Sequence, residues 1–293
     1  MDECNSTFYR IAVFLAGSLL VVLFSCGVLA QDLLTYHIGP KQGFPNSAVW
    51  AFLKDSQGFM WYGTSDGLYR YDGYTHQVFT YNEDDSTTLS DNFIFSLFED
   101  SNRSIWIGTL HGGVSLYDPI TNSFQRCFGS DSVMRGSQVN DIAEDHAGNI
   151  WIASSRGLHR FDGTKLSHIY LSRKAAINGY RSHIRSLHID ALGIIWLGGY
   201  ASSLGKYDPE TNQFEHFQDL FIEKSYIRKI AEDDAGNLWM ASFQGGLIRL
   251  NKKSRSFNRW TSMDIGNKPG IVVGSIAMSD DRIFMATSIG LCV

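Results

Sequence analysis

The chain has 293 residues, 44% hydrophobic and 13% aromatic, with 25 basic against 30 acidic side chains and a net charge of -5. That apolar content excludes a disordered chain, which lacks the groups whose burial offsets the entropy of ordering. With no basic excess to neutralise phosphates, a nucleic-acid partner is excluded too.

The first element is a leader. Arg10 precedes the 13-residue apolar run Ile11–Leu23, and small residues end at Ala30 before Gln31. A basic residue, a short apolar segment and a small boundary residue predict a secretory signal over residues 1–30. The run is shorter than the roughly 20 residues of a membrane span. An uncleaved anchor remains one alternative, and Leu23-Phe24-Ser25-Cys26 leaves a lipid anchor as another. Each delivers residues 31–293 outside the cytoplasm. Four cysteines make no disulfide scaffold: Cys4 and Cys26 belong to the leader, and Cys127 and Cys292 read as ordinary thiols.

Beyond a lone strand at Leu33–His37, the chain repeats. Anchors stand at Trp61, Trp106, Trp151, Trp196, Trp239 and Phe284, at intervals of 45, 45, 45, 43 and 45 residues. Each copy reads as four short strands. Val49, Ile94, Val139, Ile184, Ile227 and Val272 mark the first, and their branching suits a strand buried on both faces. An Asp-x-x-Gly turn follows, as in Asp55–Gly58, Asp145–Gly148 and Asp233–Gly236. The carboxylate accepts backbone N–H groups, and the glycine supplies a positive φ. Arg103 replaces this glycine in the second copy, and Met278 replaces the aspartate in the sixth. After the anchor strand come a glycine turn, a third strand ending in sequences such as Tyr71-Asp72-Gly73, and a last strand such as Gln213–Phe217.

Four strands per ~45 residues predict an all-β fold, a β-propeller over residues 31–293. One such sheet has two apolar faces, and blades stacked around an axis cover both. The anchors are therefore expected between blades rather than as sugar platforms. The sixth copy stops inside its third strand, which predicts that Leu33–His37 pairs with that blade and closes the ring. A ring truncated from seven blades is the alternative.

The pattern Asp-x-x-Gly-x-x-Trp-Ile-Gly-Thr, then Gly-Leu and Tyr-Asp-Gly, is met by Asp55–Gly73 almost throughout. It resembles the two-component regulator propeller repeat, over roughly residues 33–293. The resemblance implies the periplasmic sensor of a hybrid two-component system, which detects oligosaccharides upstream of a histidine kinase. It also implies a second propeller, an immunoglobulin-like domain, a membrane helix and a kinase in the complete sensor.

A propeller ligand meets the loops at one end of the axis. Asp66, His111, Arg156 and Gln244, five residues after their anchors, are candidates for hydrogen bonds to sugar hydroxyls or a carboxylate. Tyr200 and Phe243 are candidates for stacking on a pyranose, and the links 82–91 and 172–181 for further contacts. An enzyme is not expected, because the repeated aspartates occupy turns and nothing supplies the matched carboxylate pair of a glycosidase. His183 and His188, five apart, face opposite sides of a strand, which is poor metal geometry. No cofactor is expected. The expected partners are a glycan fragment and either a second copy or a membrane-anchored kinase. A protein-interaction scaffold is the competing function, and a secreted glycan hydrolase or lyase the third.

Overall fold

The computed structural model describes residues 48–128, 134, 136–171, 183–199, 204–217, 226–261, 265, 272–279, 282–288 and 290–292. All belong to the unit Pro40–Val293. They form five four-stranded antiparallel sheets and one three-stranded sheet, each a meander in chain order. The first blade runs Val49–Lys54, Met60–Thr64, Leu68–Tyr71 and His76–Phe79. The first strands of the later blades are Ile94–Glu99, Val139–Glu144, Ser186–Ile189, Tyr226–Glu232 and Val273–Ser279. Successive first strands lie against one another, and residues of all six blades surround one axial cavity. The fold is a six-bladed β-propeller. The leader, the expected pairing of Leu33–His37 and the link 172–181 lie outside the described residues.

The anchors bridge blades. Trp61 is 1% exposed and meets Tyr117 of the second blade edge-on at 4.9 Å, and Trp151 meets Tyr207 of the fourth at 6.0 Å. Burying each large side chain contributes about 2–3 kcal/mol. The small residue two places after the anchor serves the same contact. A Cβ on Gly108 would lie 2.6 Å from Val139 Cγ1, and one on Gly63 2.7 Å from Ile94 Cγ2. The next blade's branched side chain therefore presses on bare backbone. Where Ala153 and Ala241 stand instead, they share core clusters with Ile184 and Val273.

One expectation changes here. The second strand, not the first, is buried on both faces: Ile105–Thr109 and Ile150–Ser154 are buried throughout. The first strand alternates, as in Ile94–Glu99, because its inner edge borders the axis. The outer flanks are also more open. On the leading face of the first blade Phe52 and Val78 are exposed, as is Leu291 of the sixth, whereas Leu97 and Ile107 pack beneath Trp61.

The turn and the anchor form one device. Asp55 Oδ1 accepts the N–H groups of Gln57 and Phe59 at 3.0 and 2.8 Å, while Oδ2 accepts the Trp61 indole at 2.8 Å. Asp100 and Asp190 repeat all three bonds. The six-residue step from Asp to Trp is the reach of that indole bond. Burial opposes ionisation of Asp145, Asp190 and Asp233, but indole donors outweigh it together with Asn149, Lys252 and Asn237 respectively. Their carboxyls stay below the ordinary range. Arg103 takes the glycine's place at φ 67° and still donates to the Asp100 carbonyl at 2.9 Å.

The sixth blade differs more. Ala231 pairs with Trp239, eight residues on, but Ala277 pairs with Phe284, seven on. Without a carboxylate and an indole to span, the hairpin is one residue tighter. Val273, rather than the expected Val272, consequently faces Thr287 as Ile227 faces Ser242.

Candidate functional site: the axial cavity

Each first strand begins where its second strand ends, since Val49 pairs with Thr64 and Ile94 with Thr109. The links between second and third strands share that end. Asp66, His111, Arg156 and Gln244 are exposed there, on the rim. Asp66 Oδ1 accepts the Thr64 hydroxyl at 2.6 Å. The His111 N–H donates to Asp91 Oδ2 at 2.8 Å, tying that link to the preceding one. The Arg156 N–H donates to Ser154 Oγ at 3.0 Å, and Gln244 holds a left-handed φ of 60°. Phe243 is stacked on Tyr226 with centroids 4.8 Å apart, and the Arg228 guanidinium lies 5.5 Å from its ring. Tyr200 lies outside the described residues. None of the five described candidates lines the cavity itself.

The link 82–91 is internally bonded rather than open. Arg126 donates to the carbonyls of Asn82, Asp85 and Thr88 at 2.6, 2.7 and 3.1 Å.

The cavity, about 660 Å³, is walled by one column of the repeat. Eleven residues before their anchors stand Trp50, Phe95, Asn140, Arg185 and Arg228, and all five line it. Gly274 fills the place in the re-registered sixth copy. The cause is a recurrent β-bulge. Val49 pairs with Thr64 and Ala51 with Gly63, leaving Trp50 as an extra residue. Phe95, Asn140, Arg228 and Gly274 are skipped by their ladders in the same way. A bulge takes its residue out of the pairing and re-aims the side chain, here toward the axis.

The wall has two chemical halves. Trp50, 45% exposed, lies 5.6 Å from Phe93 and 5.3 Å from Phe95, whose rings stack at 4.8 Å. Opposite in character, Arg185 and Arg228 lie 5.2 and 5.6 Å from the Tyr226 centroid. Lys229 Nζ stands 3.4 Å from Asp141 Oδ1. Asn140 is fixed by donating to the Ile184 carbonyl at 2.7 Å. His188 is occupied between blades, its Nε2 3.2 Å from Glu232 Oε2. Sequence reasoning went to the rim because loops carry most ligand contacts. The missed signal was a column that runs Trp50, Phe95, Asn140, Arg185 and Arg228 beside the constant branched one.

The family profile described as two component regulator propeller matches residues 43–66, 88–111 and 134–156. The chain carries two-component regulator propeller repeats. Solved structures agree on the fold. The extracellular domain of a hybrid two-component system from B. thetaiotaomicron matches with a TM-score of 0.73 and 22% identity, over 87% of this chain and 34% of that one. A second such domain from the same organism matches at 0.68 and 23%, over 84% and 34%. Virginiamycin B lyase from Staphylococcus aureus, an enzyme, matches at 0.67 and 13%, over 85% and 80%. The repeat chain thus spans about a third of the length of the two extracellular domains. No curated protein matches its sequence.

Proposed function

We propose that this propeller is a ligand-binding sensor module of a hybrid two-component system, lying outside the cytoplasm and taking an oligosaccharide at its axial cavity. The observation that carries the reading is the bulged column. A constant scaffold brings aromatic, amide and guanidinium side chains from five blades to one cavity, which is how specificity is grafted onto a rigid frame. A volume of about 660 Å³ falls in the range of small-molecule sites. Trp50 offers an apolar face to the C–H side of a sugar ring. Rim residues Asp66, His111, Arg156 and Gln244 supply polar contacts to parts of the ligand outside the cavity. A membrane-anchored kinase is the partner that binding would inform.

Binding rather than turnover is supported by the repeated aspartates. Asp55, Asp100, Asp145, Asp190 and Asp233 each accept an anchor indole, so none stands ready to move a proton. The test is a thermal-shift and calorimetric screen of the purified chain against oligosaccharide fragments. A ligand at 100 times its Kd stabilises the fold by about 2.7 kcal/mol, a readily measured rise in Tm. Failure of every fragment at millimolar concentration removes the proposal, and release of new reducing ends would overturn the non-enzymatic part. The open apolar groups Phe52, Val78 and Leu291 favour a second reading, a protein-interaction scaffold that includes self-association. Light scattering distinguishes it.

A further inference from the structure

Resting on the proposed saccharide site, we infer that its ligand is a neutral chain of several sugar units, which leaves the axis through an open slot between the sixth and first blades. The five junctions between consecutive blades are all closed in one way. A branched residue of the next first strand covers a small residue of the second strand. Ile94, Val139, Ile184, Ile227 and Val273 have no exposed surface, and Gly63, Gly108, Ala153, Gly198 and Ala241 beneath them are buried. A Cβ on Gly198 would lie 2.8 Å from Ile227, nearly as tight as the contacts at Gly63 and Gly108.

Between the sixth blade and the first, both halves of that contact stand open. Val49, in the place of Ile94, is 38% exposed. Ala286 holds the place of Gly108, and both it and its partner Ser275 are exposed. Leu291, across from Ala286, is 53% exposed, whereas Val114, across from Gly108, has no exposed surface. Phe52 is 59% exposed, and Ile142 in its place on the third blade only 4%.

The axial cavity runs out into this gap. Beyond the bulged column its wall includes Val49 and Phe52 on one side and Ser275 and Ala286 on the other. Among the described residues, the wall reaches a second strand only at Ala286. An enclosed cavity admits the end of a ligand, whereas a cavity open along one side also admits the chain that continues from it.

The two sides of the slot suit a sugar chain. On the first blade, Trp50 and Phe52 are both exposed aromatics, and Phe52 is backed by Tyr62 at 5.2 Å. Two positions along one strand set their backbones about 7 Å apart, the scale of one sugar unit to the next. A pyranose lays its C–H face on such a ring and keeps its hydroxyls at the edge. The sixth-blade side is small, with the Ser275 hydroxyl as its polar group, and leaves room for a ring between the walls. None of Val49, Phe52, Ser275 and Ala286 carries a charge, so the units held there are neutral.

The test measures affinity against chain length by calorimetry on the full chain. The probes are the dimer and hexamer of three neutral series, cello-, xylo- and manno-oligosaccharides. In at least one series the hexamer is expected to bind about tenfold or more tightly than the dimer. Phe52→Ser removes the aromatic face, and Ala286→Lys fills the opposite wall. Each is expected to bring the hexamer-to-dimer ratio down to about threefold or less. Both positions are exposed, and an unchanged Tm confirms that the fold is kept. A wild-type ratio near one overturns the slot and leaves the saccharide site at the axis standing. A length gain that survives both substitutions sends the chain out by another route and overturns the slot as well. Light scattering reads the other occupant: if wild type associates and either substitution releases monomers with the ratio unaltered, the slot belongs to a polypeptide. Binding of none of the six probes overturns the neutral chain, and the broader fragment screen then decides the saccharide reading.

Discussion

His159 makes the stability of the propeller sensitive to mild acid. It lies in the third strand of the third blade, with no exposed surface, beside Ile152 in the interface with the second blade. Its Nε2 is 3.1 Å from Ser154 Oγ, and its Nδ1 has no hydrogen-bond partner among the described residues. Burial, reinforced by repulsion from His168 and Arg156, pushes its pKa down to about 3. In the unfolded chain the ordinary value is about 6.5. Below that value the unfolded chain binds a proton that the folded chain refuses, so stability is whole above pH 6.5 and falls as the pH drops toward 3. Between pH 7.5 and 5.0 the loss from this one group is about 2 kcal/mol, and it changes little for any folded pKa below about 4. His159→Leu removes the titration at little cost in packing, because Ile248 occupies the same row of the fifth blade. Ser154 Oγ keeps its bond to the Gly157 carbonyl at 3.2 Å. Urea unfolding of both proteins at the two pH values reads the effect, since every other titration is common to them. Parallel losses in wild type and variant would refute the assignment of this acid sensitivity to His159.

Three further outcomes follow from the turns and the blade contacts. Arg103→Gly is expected to stabilise by about 0.5–1 kcal/mol, because the left-handed conformation costs an ordinary residue about 1–2 kcal/mol and the extra freedom of unfolded glycine offsets only part of it; an unchanged or lowered urea midpoint contradicts this. Gly108→Val drives a side chain into Val139 of the next blade and is expected to cost about 3 kcal/mol or more, whereas Gly73→Ala, where nothing lies within 4 Å, costs only the strain of its φ of 100°. Asp190→Ala strands the N–H groups of Leu192 and Ile194 and the Trp196 indole, and takes from the Lys252 ammonium, 3.0 Å away, one of its two carboxylates, leaving it Glu232. Its expected cost is about 3–5 kcal/mol near neutral pH. In wild type that contribution is present above about pH 4 and fades as the pH falls through the depressed folded value, so the gap between the two proteins should narrow in acid.

The repeat length, its four strands and its turns were readable in the chain alone. The 45-residue spacing set the blade as the repeating unit, because a four-stranded unit that hides neither face has to be stacked, but it left six blades and a ring truncated from seven both open. The Asp-x-x-Gly turn was legible from the backbone demands of its own four residues, even at Arg103, where the turn forms without glycine. Three things depended on which side chains meet across the fold and were decided only in three dimensions. The indole bond from Trp61 to Asp55 joins two features that each read as complete alone. The bareness of Gly108 answers to Ser96 of its own blade and to Val139, 31 residues on and in another blade. The cavity wall gathers Trp50, Phe95, Asn140, Arg185 and Arg228 from five copies. Each is unremarkable within its own repeat, and only the shared axis, with the bulge at Trp50, Phe95, Asn140 and Arg228, turns them toward one another. Periodicity is written along the chain, whereas convergence on an axis is a property of how the periods are arranged in space.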